Sequence, residues 1–112
     1  MSFVNFSIEH IGLPARNPAA LQDWYVKVLG AKMVFANGKT PPAILVRLPG
    51  GGMVEIYQAN TALKETGDNK LSGWRHLAVR VDSIEAAKAE LEKRGVQFTD
   101  PINPAVGGGR VL

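Results

Sequence analysis

The sequence predicts an α+β fold in which one unit, a strand, a helix and three further strands, is written twice, the second time incompletely. Three observations predict it. His10 is followed seven residues later by Asn17, and His76 is followed seven residues later by Ser83. Asn17 and Ser83 are helix N-cap candidates, whose side-chain oxygen accepts a hydrogen bond from an early helical N–H that otherwise lacks a partner. The apolar run after each cap closes on a glycine, Gly30 or Gly95, where left-handed backbone carries the least cost. An offset of 66 residues aligns the histidines and the caps, with one residue of slippage at the glycines. Self-similarity at such an offset marks a duplicated supersecondary unit.

Each element has its own signal. Phe6 to Leu13 reads as a strand. Pro18 stands at the first helical position after Asn17, and Leu21, Trp24, Tyr25, Val28 and Leu29 fall at i, i+3, i+4, i+7 and i+8, a stripe facing a core. Ala31 to Phe35 is a short strand, and Asn37-Gly38 is a turn signal. Ala43 to Leu48 and Met53 to Gln58 are apolar strands joined by Pro49-Gly50-Gly51-Gly52, a hairpin with a loose loop. Ala59 to Ser72 is polar and reads as a linker. The second unit opens with a strand from Trp74 to Val81. A helix from Ile84 to Arg94 follows, with Asp82 and Glu85 at capping-box spacing and Ile84, Ala87 and Leu91 inward. Val96 to Thr99 reads as a strand, Pro101 to Gly109 as a loop, and Arg110-Val111-Leu112 as the start of another strand. One domain over 1–112 is expected, with a first module at about 6–58, a linker at about 59–72 and a truncated second module at about 73–112.

Composition excludes several classes of function. A chain of 112 residues with 46% hydrophobic content holds one small core. No apolar run approaches the roughly 18 residues of a membrane span, so no membrane partner is expected. MSFVNFSIEH lacks a basic segment followed by an apolar block, so no signal peptide is read and a cytoplasmic location is expected. The absence of cysteine removes disulfides, thiolate catalysis and zinc–thiolate sites. A net charge of +3, spread without a basic run, argues against nucleic acid and suits an anionic metabolite.

Strand parity selects the candidate site, because alternate side chains project from opposite faces of a sheet. In the strand of Glu55, Val54 and Ile56 form the apolar pair, and Glu55 shares the other face with Met53 and Tyr57. In the strand of His76, Leu77, Val79 and Val81 are the apolar face and His76 points away from it. His10 shares a face with Phe6, Ile8 and Gly12. If helices cover one side, Glu55 and His76 project from the uncovered side and His10 joins them. Taken singly, each of the three is an ordinary strand residue. Their places at matching ends of a repeat point to shared metal ligation. Trp24, Tyr25 and Trp74 are read as core or wall residues, and the two Gly triplets, 50–52 and 107–109, as turns.

The segments IEHIGLPARNP, LQDWYVKVLGAK, GGMVEIYQ and GWRHLAVRVDSIEAAKAELEKRGVQF resemble the vicinal oxygen chelate superfamily. That superfamily includes glyoxalase I, extradiol dioxygenases, methylmalonyl-CoA epimerase and antibiotic-binding resistance proteins. The resemblance implies two βαβββ modules forming a cupped, barrel-like mixed sheet of the glyoxalase kind around a divalent metal. His10, Glu55 and His76 fall on three of its four ligand positions, in the order of bacterial glyoxalase I. The fourth position, offset from Glu55, falls at about 121, beyond Leu112. The strand from Gly109 is then expected to be an exposed edge, open to pairing with another chain, and the resemblance implies a homodimer. Relatives that use glutathione adducts carry an arginine four residues after the first histidine; here Pro14 stands there, which argues against glutathione.

Nitrogen and oxygen ligands without sulfur suit Zn, Ni, Co, Mn or Fe. The function this implies is a metal-dependent lyase or isomerase of the glyoxalase type. Its small-molecule substrate would chelate the metal through vicinal oxygens, with the cation stabilising an enediolate or similar oxyanion. Glu55 would be the catalytic proton-transfer group. Two alternatives stand beside it: an Fe-dependent ring-cleaving dioxygenase, and a metal-free binding protein that sequesters a small molecule or antibiotic.

Overall fold

In the computed structural model, which describes residues 4–61 and 67–112, the chain divides into two units, Met1–Ala62 and Leu63–Leu112. The first unit contains β1 (His10–Ala15), α1 (Pro18–Leu29), β2 (Lys32–Ala36), β3 (Ile44–Arg47) and β4 (Met53–Gln58). Its sheet has the order β1-β4-β3-β2, with β1 parallel to β4 and the other pairs antiparallel. The expected strand, helix and three strands are therefore all present.

Local chemistry starts and stops α1 where the sequence places its ends. The Asn17 Oδ1 accepts from the Ala20 N–H at 3.1 Å, and Pro18 occupies a position whose missing N–H costs nothing. Gly30 takes the left-handed conformation at φ 69°, and the Ala31 N–H donates to the Tyr25 carbonyl at 3.1 Å. Leaving α1 in this way directs the chain into β2. Asn37 then closes the turn before β3, its Oδ1 accepting from the Lys39 and Ala43 N–H groups. The β3–β4 hairpin turns through Gly51 and Gly52, both at positive φ, where a side chain would be strained.

The core lies between α1 and one face of this sheet. Val46, Val54 and Ile56 are completely enclosed, and Tyr25, Ala31 and Ile44 complete the buried cluster. Burial raises the Tyr25 phenol above its ordinary value, because the charged form loses hydration. Trp24 meets Tyr25 edge-on, with ring centroids 5.2 Å apart, but lies at the rim, 44% exposed. The alternation read in Met53–Gln58 holds: Val54 and Ile56 face α1, and Met53, Glu55 and Tyr57 face away.

β1 differs from its expected span. Its six residues match the six of β4 one for one, from His10 opposite Met53 to Ala15 opposite Gln58. Phe6 and Ile8 have no strand beside them and are 90% and 78% exposed. The length of the partner, which periodicity does not report, sets the strand.

The second unit contains α2 (Ile84–Lys93) and a small hairpin of β5 (Asn103–Pro104) and β6 (Arg110–Val111). The Ser83 Oγ accepts from the Ala86 N–H at 3.2 Å, so Ser83 is the N-cap that the repeat predicts. Along α2, Lys88 pairs with Glu92 at 2.7 Å and Arg94 with Glu90 at 3.2 Å, both at i, i+4. Arg110 of β6 bonds Glu85 of α2 and holds that carboxyl below its ordinary value.

Two expected strands are corrected here. Trp74 to Val81 and Val96 to Thr99 form no strand among the described residues, and a second strand–helix–three-strand module is not evident. The first unit supplies the reason, since among the described residues β1 is held as a strand by its pairing with β4 alone. Among the described residues, no strand lies beside Trp74 to Val81 as β4 lies beside β1. Extended backbone without a hydrogen-bonded neighbour does not form a ladder. Consistent with this, none of the described residues of this unit is buried, and Trp74 is 87% exposed. Part of the expected linker, residues 62–66, lies outside the described residues.

Candidate metal centre and substrate face

The face of the first sheet turned away from α1 can be assembled from register alone, since directly paired residues project to the same side. His10 pairs with Met53, Met53 with Arg47, and Arg47 with Lys32, which makes one row across four strands. The next row is Gly12, Glu55, Leu45 and Phe35, and Pro14 with Tyr57 begins a third. Imidazole, carboxylate, phenol, guanidinium and ammonium groups thus share one face.

His10 and Glu55 meet on it. The His10 Nε2 lies 3.7 Å from the Glu55 Oε2, with the two side chains 37% and 38% exposed. The other ring nitrogen, Nδ1, is 2.9 Å from the Glu9 Oε1. A carboxylate on Nδ1 selects the tautomer that carries hydrogen there, which leaves the Nε2 lone pair directed into the space beside Glu55. The distance of 3.7 Å is too long for a hydrogen bond. It does suit a shared cation, because two donor atoms each about 2.1 Å from one ion lie up to about 4.2 Å apart. The donor set, one nitrogen and one carboxylate oxygen with an acid orienting the imidazole, fits a borderline divalent metal.

His76 belongs to the second unit, in a stretch without regular structure, where its Nδ1 is 3.4 Å from the Asn69 Oδ1. Within neither unit do three His, Asp or Glu side chains gather as a metal site among the described residues. Of the three expected ligands, the first sheet brings together His10 and Glu55.

Sequence reasoning missed several residues of this face. Glu9 precedes a candidate ligand and could have been tested as its orienting acid. Arg47 and Lys32 share the parity of Glu55 through the hairpin, but the bulge between Met33 and Phe35 shifts the β2 register and hides Lys32 from a simple count. Gly12 is the least visible. A Cβ there would lie 3.3 Å from the Tyr57 Cε1 and 3.4 Å from its hydroxyl oxygen, so the missing side chain lets the phenol lie across β1, one residue pair from Glu55. Tyr57, Pro14 and Asn60 border an open depression of about 350 Å³ at that end of the sheet.

Gly12→Ala is expected to move Tyr57 without unfolding the unit. The added Cβ needs only a few tenths of an ångström from the edge of a partly exposed ring. Replacing glycine where φ is ordinary also stabilises by about 0.4–1 kcal/mol through the unfolded chain. Urea unfolding should show a change within about 0.5 kcal/mol of zero, while the near-ultraviolet dichroism of tyrosine changes. A loss above about 2 kcal/mol would mean that Tyr57 is locked in place.

The comparisons agree with this architecture. The model of the Glyoxalase/Bleomycin resistance protein/Dioxygenase superfamily matches residues 7–112. The glyoxalase family protein of Enterococcus faecalis superposes with a TM-score of 0.75 at 25% identity, over 93% of this chain and 84% of that one. A member of the same superfamily from Sphaerobacter thermophilus gives a TM-score of 0.69 at 23% identity, over 95% and 85% of the two chains. The fosfomycin resistance protein FosX of Listeria monocytogenes, complexed with Mn(II) and a dihydroxypropylphosphonic acid, gives 0.61 at 12% identity, over 92% and 75%. Comparison with curated proteins gives no match. No helix among the described residues is long and apolar enough to cross a membrane. Because the family model spans residues 7–112 and the solved relatives share the fold, this chain belongs to the Glyoxalase/Bleomycin resistance protein/Dioxygenase superfamily.

Proposed function

We propose that the chain is a metal-dependent lyase or isomerase that acts on a small substrate offering two neighbouring oxygens, with His10 and Glu55 as ligands to a divalent cation. The observation that carries this reading is the His10–Glu55 approach at 3.7 Å, with Glu9 bonded to the far side of the imidazole. When bound, the cation supplies Lewis-acid stabilisation of negative charge on the substrate oxygens. Glu9 holds His10 in one tautomer and one ring orientation. Glu55 is the acid–base group, taking a proton from the carbon beside the substrate carbonyl and returning it to the neighbouring carbon. The repeat assigns His76 the same role as His10. A homodimer in the cytoplasm is the setting the family suggests.

Titration of the chelator-treated chain with Mn²⁺, followed by electron paramagnetic resonance, tests the ligand assignment. Wild type is expected to take up one ion per chain. His10→Ala and Glu55→Ala should each lose that uptake, and His76→Ala reports on the repeat separately. Glu9→Ala, which removes only the orienting acid, should weaken it by about 10–100-fold. Unchanged uptake in the triple variant of His10, Glu55 and His76 would overturn the ligand assignment, and no uptake by wild type would favour a metal-free binding protein.

A further inference from the structure

We infer that Arg47 and Lys32 form an oxyanion subsite on the substrate face, so that the substrate is an organic acid whose anionic group docks away from the His10–Glu55 pair. The inference deepens the proposed function and rests on it for the word substrate. Arg47 and Lys32 are direct partners on adjacent antiparallel strands, and Arg47 is also the direct partner of Met53. Both cations therefore project from the face that carries Glu55. Like charges placed directly opposite each other on paired strands oppose pairing, and no carboxylate forms an ion pair with either among the described residues. A bound anion would remove that repulsion.

Register also sets the size of the ligand. Glu55 and Arg47 are diagonal neighbours on β4 and β3, a relation that places positions about 7–8 Å apart, within reach of long side chains. Met53 lies between His10 and Arg47 in their row, and Leu45 and Phe35, the latter 55% exposed, flank Arg47 and Lys32 on β3 and β2. The arrangement suits a compact molecule with oxygens at one end, a short apolar or aromatic body over Met53 and Leu45, and a carboxylate or phosphonate at the other. A guanidinium recognises either acid through paired N–H donors, and a nearby ammonium adds a point charge.

Binding of small acids to the intact chain tests this without requiring turnover. Benzoate, phenylphosphonate and neutral benzyl alcohol are titrated in turn, with ¹H–¹⁵N shifts of the Arg47 and Lys32 amides as the readout. The expected result is saturable binding of an acid but not of the alcohol, weakened at least tenfold in the Arg47→Gln, Lys32→Gln double variant. The Lys39→Gln control should leave it unchanged. Stronger binding of benzoate or of phenylphosphonate identifies the acid class. Equal weakening by Lys39→Gln, or none in the double variant, overturns the subsite. Mn²⁺ uptake is measured on the same samples, and the double variant should keep it. Absence of Mn²⁺ uptake in wild type with acid binding intact removes the metal reading alone, whereas intact Mn²⁺ uptake with indifferent acid binding removes the subsite alone.

Discussion

Ile56→Ala is expected to destabilise the first unit by about 2–5 kcal/mol, a large share of its total stability. Ile56 is completely enclosed and sits on β4, one of the two strands with partners on both sides: Leu13 of β1 and Ile44 of β3 lie directly opposite it. The substitution deletes three carbons, about 2.4 kcal/mol of transfer free energy at about 0.8 per methylene. A cavity term adds to this, because Val46, Val54 and Tyr25 are held by the sheet and α1 and collapse only in part. Small units bury a modest share of their surface, so total stability lies toward the low end of the usual 5–15 kcal/mol. Urea unfolding followed through Trp24 measures the loss, in a Trp74→Phe background so that the second unit contributes no tryptophan signal. Ile8→Ala, at a residue 78% exposed, should change stability by no more than about 0.5 kcal/mol. Equal effects at the two positions would contradict the placement of the core.

The contrast between Ile56 and Ile8 also separates what the sequence could tell from what it could not. Ile56 was legible because two constraints agreed: alternation put it with Val54, and the hairpin loop put its strand next to β3. Ile8 falls within the span Phe6 to Leu13 that reads as a strand, and composition along a single span does not say whether a partner is there. The same gap explains Trp74 to Val81. Its apolar residues Leu77, Val79 and Val81 have the period of a half-buried strand, yet among the described residues no second strand lies beside them. Helices fared better because their hydrogen bonds are local. Asn17, Gly30 and Ser83 define ends that need no distant partner, and each does what its residue type predicts. The candidate site divides along similar lines. Parity placed Glu55 on the open face and the repeat selected His10, but Glu9, Gly12 and the Arg47–Lys32 pair became visible only through register and side-chain contact.

Glu55→Gln is expected to lower the rate of proton exchange at carbon by about 10²–10⁴-fold while leaving the unit folded. The strand register places this carboxylate on the substrate face, 3.7 Å from the His10 Nε2, and general acid–base transfer by a positioned side chain accounts for accelerations of that size. Glutamine keeps the length and one oxygen that can accept, so the face keeps its shape, but an amide does not take up a proton at neutral pH. Folding should be nearly indifferent, because the side chain is 38% exposed and the His10 Nε2 near it, at 3.7 Å, is beyond hydrogen-bond reach. The measurement is the appearance of deuterium at carbon in hydroxyacetone dissolved in D₂O, with Mn²⁺ and protein, compared with the same Mn²⁺ concentration alone. Glu9→Gln provides the internal comparison. It changes the acid that orients His10 and leaves the proton acceptor in place, so exchange should fall by no more than the 10–100-fold loss expected for ion binding and should recover at higher Mn²⁺. Exchange in Glu55→Gln should not recover at any Mn²⁺ concentration. Full recovery there would show that Glu55 holds the ion without moving the proton. Wild-type exchange no faster than Mn²⁺ alone would remove the lyase or isomerase assignment for this probe class.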